Sequence, residues 1–448
     1  MLTLEGWFSS AKLNDLPFFA IALFCTVHFW EYYASVCFSV TCKSPKHFSH
    51  EFFTNSMVRQ LWEQNTDVVL VDTGNSYEGL CDYVNGKYIS YTEEHPITMN
   101  PFAIKREELN IEKIGFLKNL VMLIWKGTNG RITKTEDHLI EDVITEYYDA
   151  HFRLGKVKEL SFNTFYEYST KRIPEIVRDN NLEGIDLATY NYLLKDFYKG
   201  GNHELTLNEN LDTALFDETF IVFEIDSIKD DPLLFPLVTL IIMDVFIQKM
   251  RIKKNRKVLV IEEAWKAIAS PMMAEYIKYL YKTARKFWAS VGVVTQEIQD
   301  IVGSPIVKEA IINNSDVIML LDQSKFKERF DEIKAILGLT EVDCRKIFTI
   351  NRLENKEGRS FFREVFIRRG QNAAVFGVEE PHECYMTYTT ERAEKEALKL
   401  YKRELKCSHQ QAIEAYCRDW DRSGISKSLP FAQKVNQAGH VLNLPANK

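Results

Sequence analysis

The chain has 448 residues, of which 46 % are hydrophobic, 12 % aromatic and 27 % charged. That is room for two or three domains with a large core, and it excludes a disordered chain. The formal charge of −7 excludes a global basic field, so strong non-specific nucleic-acid binding is not signalled, although a local basic patch is compatible with it. Cys25, Cys37, Cys42, Cys81, Cys344, Cys384, Cys407 and Cys417 include no Cys-x-x-Cys pair. With scattered histidines, they read as reduced thiols of a cytoplasmic chain and give no zinc site.

Leu16 to Trp30 is uncharged, but Glu31 ends it short of the ~20 residues a spanning helix needs, and no basic leader precedes it. It reads as a buried or poorly folded apolar segment. Lys43-Ser44 is the nearest approach to the end of a phosphate-binding loop. No glycine lies between Gly6 and Gly74, however, and Pro45 follows at once. Such a loop depends on backbone amides that approach phosphate closely only where glycine permits, so residues 1–51 are expected to pack loosely and to build no phosphate cradle.

Phe53, Met57 and Leu61, with Val58 on the flank, recur at helical spacing within Phe52 to Gln64, and Val68 to Val71 then forms a buried strand. Asp72-Thr73-Gly74 ends that strand. An aspartic protease would need two such carboxylates sharing a proton in an all-β framework. Only one is present and a helix precedes it, so the tripeptide reads as a turn with glycine at positive φ. Helical periodicity dominates from about Ile104 to Lys199 and closes at Gly200-Gly201-Asn202.

Strand character returns at Phe220 to Ile225, and Pro232 to Met250 is an apolar core helix too short in its uncharged part for a bilayer. Strand 258–261, helix 271–286, strand 291–295, helix 304–313 and strand 316–321 then alternate, which predicts a parallel sheet flanked by helices. Phe361 to Arg368 and Ala373 to Val378 read as a terminal hairpin. Helices follow from about Glu391, with capping-box spacing at Ser408 and Gln411, and the tail after Arg422 is expected to fray.

The chemistry concentrates at two strand ends. Val258 to Ile261 delivers Glu262 and Glu263, and Val291 to Thr295 delivers Gln296. In a doubly wound sheet such ends meet in the crevice where phosphates and Mg²⁺ bind. Glu262 is the candidate metal ligand, Glu263 the candidate base and Gln296 the candidate γ-phosphate sensor. The plainer alternatives are surface contacts or capping of a helix starting near Ala264 for the two acids, and an ordinary strand-end amide for Gln296. Arg285 ends a helix directly before the glutamine strand, which is expected to put it near the nucleotide edge, where it could act on a neighbouring subunit's phosphates. Arg368 and Arg369 are rivals for that role, and a solvated helix end is the alternative for each.

From Phe52 onward the chain resembles the TraG-type ATPases of Bacteroides-like conjugative transposons, a motor class of type IV secretion systems. The runs that carry the resemblance are 52–60, 69–77, 260–266, 283–287, 294–298 and 369–376. The resemblance implies an α/β, RecA-like P-loop NTPase core (a mostly parallel sheet flanked by helices) with an α-helical insertion. The corresponding divisions are 1–51 not family-like, 52–103 and 218–384 the core, 104–217 the insertion, and 385–448 terminal helices and tail. It implies ATP and Mg²⁺ as ligands, a homo-oligomer such as a hexamer, conjugation-channel partners, and the cytoplasmic face of the inner membrane as location. It also implies a strand and Walker A loop just before Phe52, so the expectation is a product that has lost that loop.

Overall fold

The computed structural model describes residues 38–41, 50–209, 213–263, 271–295, 315–350 and 362–442. Nine strands form one sheet: β1 (Phe38–Thr41), β2 (Thr66–Asp72), β3 (Lys87–Ser90), β4 (Phe220–Glu224), β5 (Arg256–Ile261), β6 (Ala289–Thr295), β7 (Val317–Leu320), β8 (Phe362–Arg369) and β9 (Asn372–Glu379). Their order is β3-β4-β2-β5-β6-β1-β7-β8-β9. The first seven positions are parallel, and β8 and β9 add an antiparallel hairpin at one end. The expected alternation of buried strands is therefore found in one sheet; the expected helix 304–313 lies outside the described residues.

Two strands were not foreseen. β3 is short and partly exposed, with too little apolar pattern to stand out. β1 lies in the stretch expected to pack loosely, yet it pairs on both sides, with Thr41 opposite Thr295 of β6 and Leu320 of β7. That expectation is corrected for residues 38–41: Phe-Ser-Val-Thr is a short β-prone run, and a central sheet position supplies the partners that local sequence cannot reveal.

Strands β2, β4, β5, β6 and β7 are buried on both faces because their side chains alternate between two apolar layers. Val69 and Val71 face a layer containing the helix Leu234–Ile252, the helix Pro271–Ala284 and the helical lobe. Val68 and Leu70 face the other layer, where Phe52, Phe53, Met57, Val58 and Leu61 of the helix His50–Glu63 pack. The lobe consists of the helices Ile111–Lys126, Lys134–Phe152, Phe162–Asp179 and Leu187–Leu194, and its apolar cluster is continuous with the sheet's. Lys113 of the lobe and Asp244 of the core helix pair at 2.7 Å with both side chains buried.

The turn after β2 differs from expectation in one detail: Asn75, not Gly74, takes the positive φ, at 53°. Asparagine tolerates the left-handed region better than most side chains, so the turn forms without using glycine's freedom. At the carboxyl terminus the helices Arg392–Leu405 and His409–Ser423 form, the latter with the Ser408–Gln411 capping box. The expectation of fraying after Arg422 is corrected for residues 423–442: Ser428–Ala438 is helical and buries Phe431 and Val435, with Phe431 edge-on to Tyr416 at 5.0 Å. Apolar residues four apart in an otherwise polar stretch are the signal for one more amphipathic turn. No described helix is long and apolar enough to cross a membrane, and Leu16 to Trp30 lies outside the described residues.

Two stability outcomes follow from these contacts. Lys113→Met leaves Asp244 as a buried charge without its cation and is expected to cost about 3–5 kcal/mol in denaturant unfolding, most of it regained in Lys113→Met/Asp244→Leu. Lys257 is fully buried, donates to Asn255 O at 2.6 Å and Phe287 O at 3.0 Å, and burial pulls its ammonium down to about 8. The unfolded chain therefore binds more protons than the folded one between about pH 8 and pH 10, so stability rises with pH across that window. The unfolding midpoint of the wild type should gain on that of Lys257→Met over the same range; parallel pH profiles would contradict the assignment.

Candidate nucleotide site at the carboxyl edge of the sheet

Parallel pairing sends the carboxyl ends of β4, β2, β5, β6 and β1 to one edge. Asp72 lies opposite Glu224, Val71 opposite Ile261, Ile261 opposite Val293, and Thr295 opposite Thr41. Glu262 follows β5 directly, and its N–H extends the ladder by donating to Val71 O at 3.0 Å. Its side chain is buried, and Tyr77 Oη donates to Glu262 Oε1.

Glu263 is only partly buried and takes a φ of +50°. A non-glycine residue in the left-handed region is uncommon and turns the chain sharply, and such conformations cluster at functional positions. Two adjacent acids thereby enter different surroundings, one held inside against a phenol and one nearer solvent.

A second layer of acids lies beside Glu262. Asp72 Oδ2 accepts the N–H groups of Ser76 at 2.7 Å and Tyr77 at 3.2 Å. Glu224 accepts from Asn75 N at 2.7 Å, Asp226 N at 2.8 Å and Tyr88 Oη at 3.2 Å. Burial first, and then the neighbouring Glu224, hold the Asp72 carboxyl well above the usual carboxylate range. Burial, followed by the Glu262 carboxylate, likewise raises the Tyr77 phenol.

The predicted site residues separate. Glu262 and Glu263 come together at the edge where β1 and β6 end. Gln296 lies outside the described residues, directly after Thr295, the buried last residue of β6. The placement expected for Arg285 is corrected. It follows the helix Pro271–Ala284 and precedes β6, so it sits at the amino edge, exposed, with Nη2 3.0 Å from Asp316 Oδ2. A helix that crosses back over a parallel sheet deposits its carboxyl end where the next strand starts, here seven residues, or about 23 Å of strand, from the acids.

Arg368 and Arg369 share that edge: Arg369 lies opposite Val317 at the start of β7, and Arg368 Nη1 donates to Leu337 O and to Gly338 O. Sequence reading missed Tyr77, Asp72 and Glu224 as parts of the site. The available signal was a carboxylate closing each of two buried apolar runs, Val68–Val71 and Phe220–Phe223.

Among the described residues no group of three or more histidine, cysteine, aspartate or glutamate side chains could hold a metal ion. Among these residues a metal held by protein ligands alone does not fit. A Mg²⁺ ion that arrives with phosphates keeps several waters and takes only one or two carboxylates, and that donor set fits Glu262.

A single, mostly parallel sheet flanked by helices on both faces, with acids at its carboxyl edge, defines the class: the fold is that of the RecA-like P-loop NTPases. It is similar to the structure of VirB4 of Thermoanaerobacter pseudethanolicus, with a TM-score of 0.56 and 20 % identity, covering 77 % of this chain and 89 % of that one. It is also similar to the plasmid coupling protein TrwB in complex with the non-hydrolysable ATP analogue ADPNP, with a TM-score of 0.50 and 10 % identity, covering 77 % and 84 %. Among curated proteins, Protein TraC of Escherichia coli (strain K12) is 23 % identical over 290 residues, which is 62 % of this chain and 31 % of TraC. The chain thus spans under a third of that relative's length. The family model of the TraG P-loop domain matches residues 42–420, and the chain belongs to that family.

Because the Arg285–Asp316 pair is exposed, Arg285→Ala should change unfolding free energy by less than about 1 kcal/mol. A larger loss in a denaturant titration would mean that the arginine is structural, and its variants could not then report on function.

Proposed function

We propose that this chain is the motor ATPase domain of a bacterial conjugative-transfer (type IV secretion) system, coupling ATP hydrolysis to conjugation. The observation that carries the reading is the convergence of Glu262 and Glu263 on the sheet edge where β1 and β6 end, within a chain of the TraG P-loop family. In this reading Glu262 holds Mg²⁺, Glu263 is the general base and Gln296 senses the γ-phosphate. Bound Mg²⁺ supplies charge neutralisation at the phosphates. Glu263, turned out by its backbone, is the acid positioned to take a proton from an attacking water. Arg285 stands at the opposite edge and serves only a neighbouring copy, so its role requires a homo-oligomer, for which a hexamer is the proposed form. Partners are conjugation-channel components at the cytoplasmic face of the inner membrane.

One observation favours a second reading, a non-hydrolysing remnant that keeps its oligomer and partner surfaces. Residues 42–49 join β1 to the next helix with the sequence Cys-Lys-Ser-Pro-Lys-His-Phe-Ser, which contains no glycine. Phosphoryl transfer relies on positioning and charge stabilisation, and loss of a single transition-state donor costs on the order of 10²–10³ in rate.

ATP turnover of three proteins separates the readings: the chain itself, the chain with a glycine-rich loop ending in Lys-Ser restored before Phe52, and the restored chain carrying Glu263→Gln. The expected result is nucleotide binding with little turnover by the first, recovery of turnover in the second and its loss in the third, whereas a folded first protein that binds no nucleotide favours the remnant. Equal turnover by the second and third removes Glu263 from the mechanism, and no nucleotide binding by any of them sinks the ATPase reading.

A further inference from the structure

The turn from Asp72 to Tyr77 does more than connect two elements. Asp72 gathers the N–H groups of Ser76 and Tyr77, Asn55 Nδ2 on the helix His50–Glu63 donates to Ser76 O at 3.1 Å, and Asn75 donates its N–H to Glu224. Held from three sides, the turn delivers one fully buried phenol. Tyr77 Oη donates to Glu262 Oε1 and is also hydrogen-bonded to Thr54 of the helix His50–Glu63. The phenol therefore spans from the carboxylate after β5 to the helix that follows β1, the two elements that flank the bound phosphates and metal in the function proposed above.

We propose that Tyr77 is a positioning residue that orients Glu262 toward a divalent cation carried by a nucleoside triphosphate. The inference rests on the nucleotide reading and adds to it. A carboxylate that holds a metal must keep one orientation, and the outer partner that supplies it commonly accounts for 10–100-fold in metal affinity. An ionised carboxylate has roughly four acceptor positions, so accepting from the phenol is compatible with holding a cation as well. Phenylalanine at this position would fill the same space and leave Glu262 without the phenolic donor. The Asp72-Thr73-Gly74 signature acquires a purpose on this account: its carboxylate fixes the backbone of the residue that steers Glu262.

The test is a Mg²⁺ titration of binding to a fluorescent ATP analogue by the wild type, Tyr77→Phe and Tyr147→Phe. Tyr147 is a fully buried phenol of the helical lobe, 2.7 Å from Thr164 Oγ1, and reports the generic cost of losing a buried hydroxyl. Tyr77→Phe should raise the Mg²⁺ midpoint by about tenfold or more, with metal-free nucleotide affinity unchanged and Tyr147→Phe matching the wild type. Equal midpoints for Tyr77→Phe and wild type overturn the proposal and leave the nucleotide reading standing. Absence of Mg²⁺-dependent binding by the wild type overturns both. Should Tyr77→Phe fail to fold, Thr54→Val decides, because it removes the phenol's other partner at nearly constant volume: a shift in the same direction supports the assignment and no shift overturns it.

Discussion

The site depends on register. Hydrogen bonding between parallel strands aligns Val71 with Ile261 and Ile261 with Val293, so residues far apart in sequence reach one edge only because the ladders are in step. A one-residue slip of β5 would exchange the faces of Val258 and Leu259 and would move Glu262 off the position opposite Val71 O. What prevents the slip is burial on both faces. Val258 and Val260 are committed to the layer beneath the helix His50–Glu63, and Leu259 and Ile261 to the layer shared with the helical lobe. The chemistry at the edge is thus held in place by apolar packing that reaches it through Tyr77, a member of the layer beneath the helix His50–Glu63.

The same topology sorts charge between the two edges. Acids that close strands collect at the carboxyl edge, whereas Arg285 and Arg369, which adjoin the start of β6 and of β7, collect at the amino edge. Within one copy the two sets are a strand's length apart and cannot meet. A head-to-tail arrangement of copies would face one set with the other, and a heterologous contact of that kind closes into a ring when its rotation permits. The position of Arg285 thus speaks against a role at the acids of its own subunit, and an exposed helix end paired with Asp316 is what the structure shows of it.

Much of this was legible in the sequence because parallel strands advertise themselves as uninterrupted apolar runs. Val68–Val71, Phe220–Ile225, Val258–Ile261 and Val291–Thr295 all read correctly, and Glu262 and Glu263 stood out as carboxylates at the end of one such run. Edge direction was harder. Placing Arg285 required knowing that the helix before β6 runs against the strand, a property of the crossover rather than of any local pattern. The second layer of acids was hidden for another reason: Asp72 looked like an ordinary turn residue until pairing put Glu224 across from it. Tyr77 gave no local signal either, since its partner lies 185 residues away. The helix Ser428–Ala438 was missed because its buried residues, Phe431 and Val435, are sparse in a polar stretch and show their purpose only against Tyr416.

The glycine-free connection between β1 and the following helix and the ordered acids at the sheet edge answer to different constraints. Backbone amides can wrap a phosphate only where side chains leave room, so a cradle is a local property of the few residues that form it. The acids are placed by strand register, by the left-handed turn at Glu263 and by the phenol of Tyr77, none of which involves residues 42–49. Loss of a cradle would therefore leave the arrangement of the acids undisturbed. The helix after β1 meets the acid side of the edge at two described places: Thr54 is hydrogen-bonded to the Tyr77 hydroxyl, and Asn55 Nδ2 donates to Ser76 O. A hydrogen-bonded path thus runs from that helix through Thr54 and Tyr77 to Glu262.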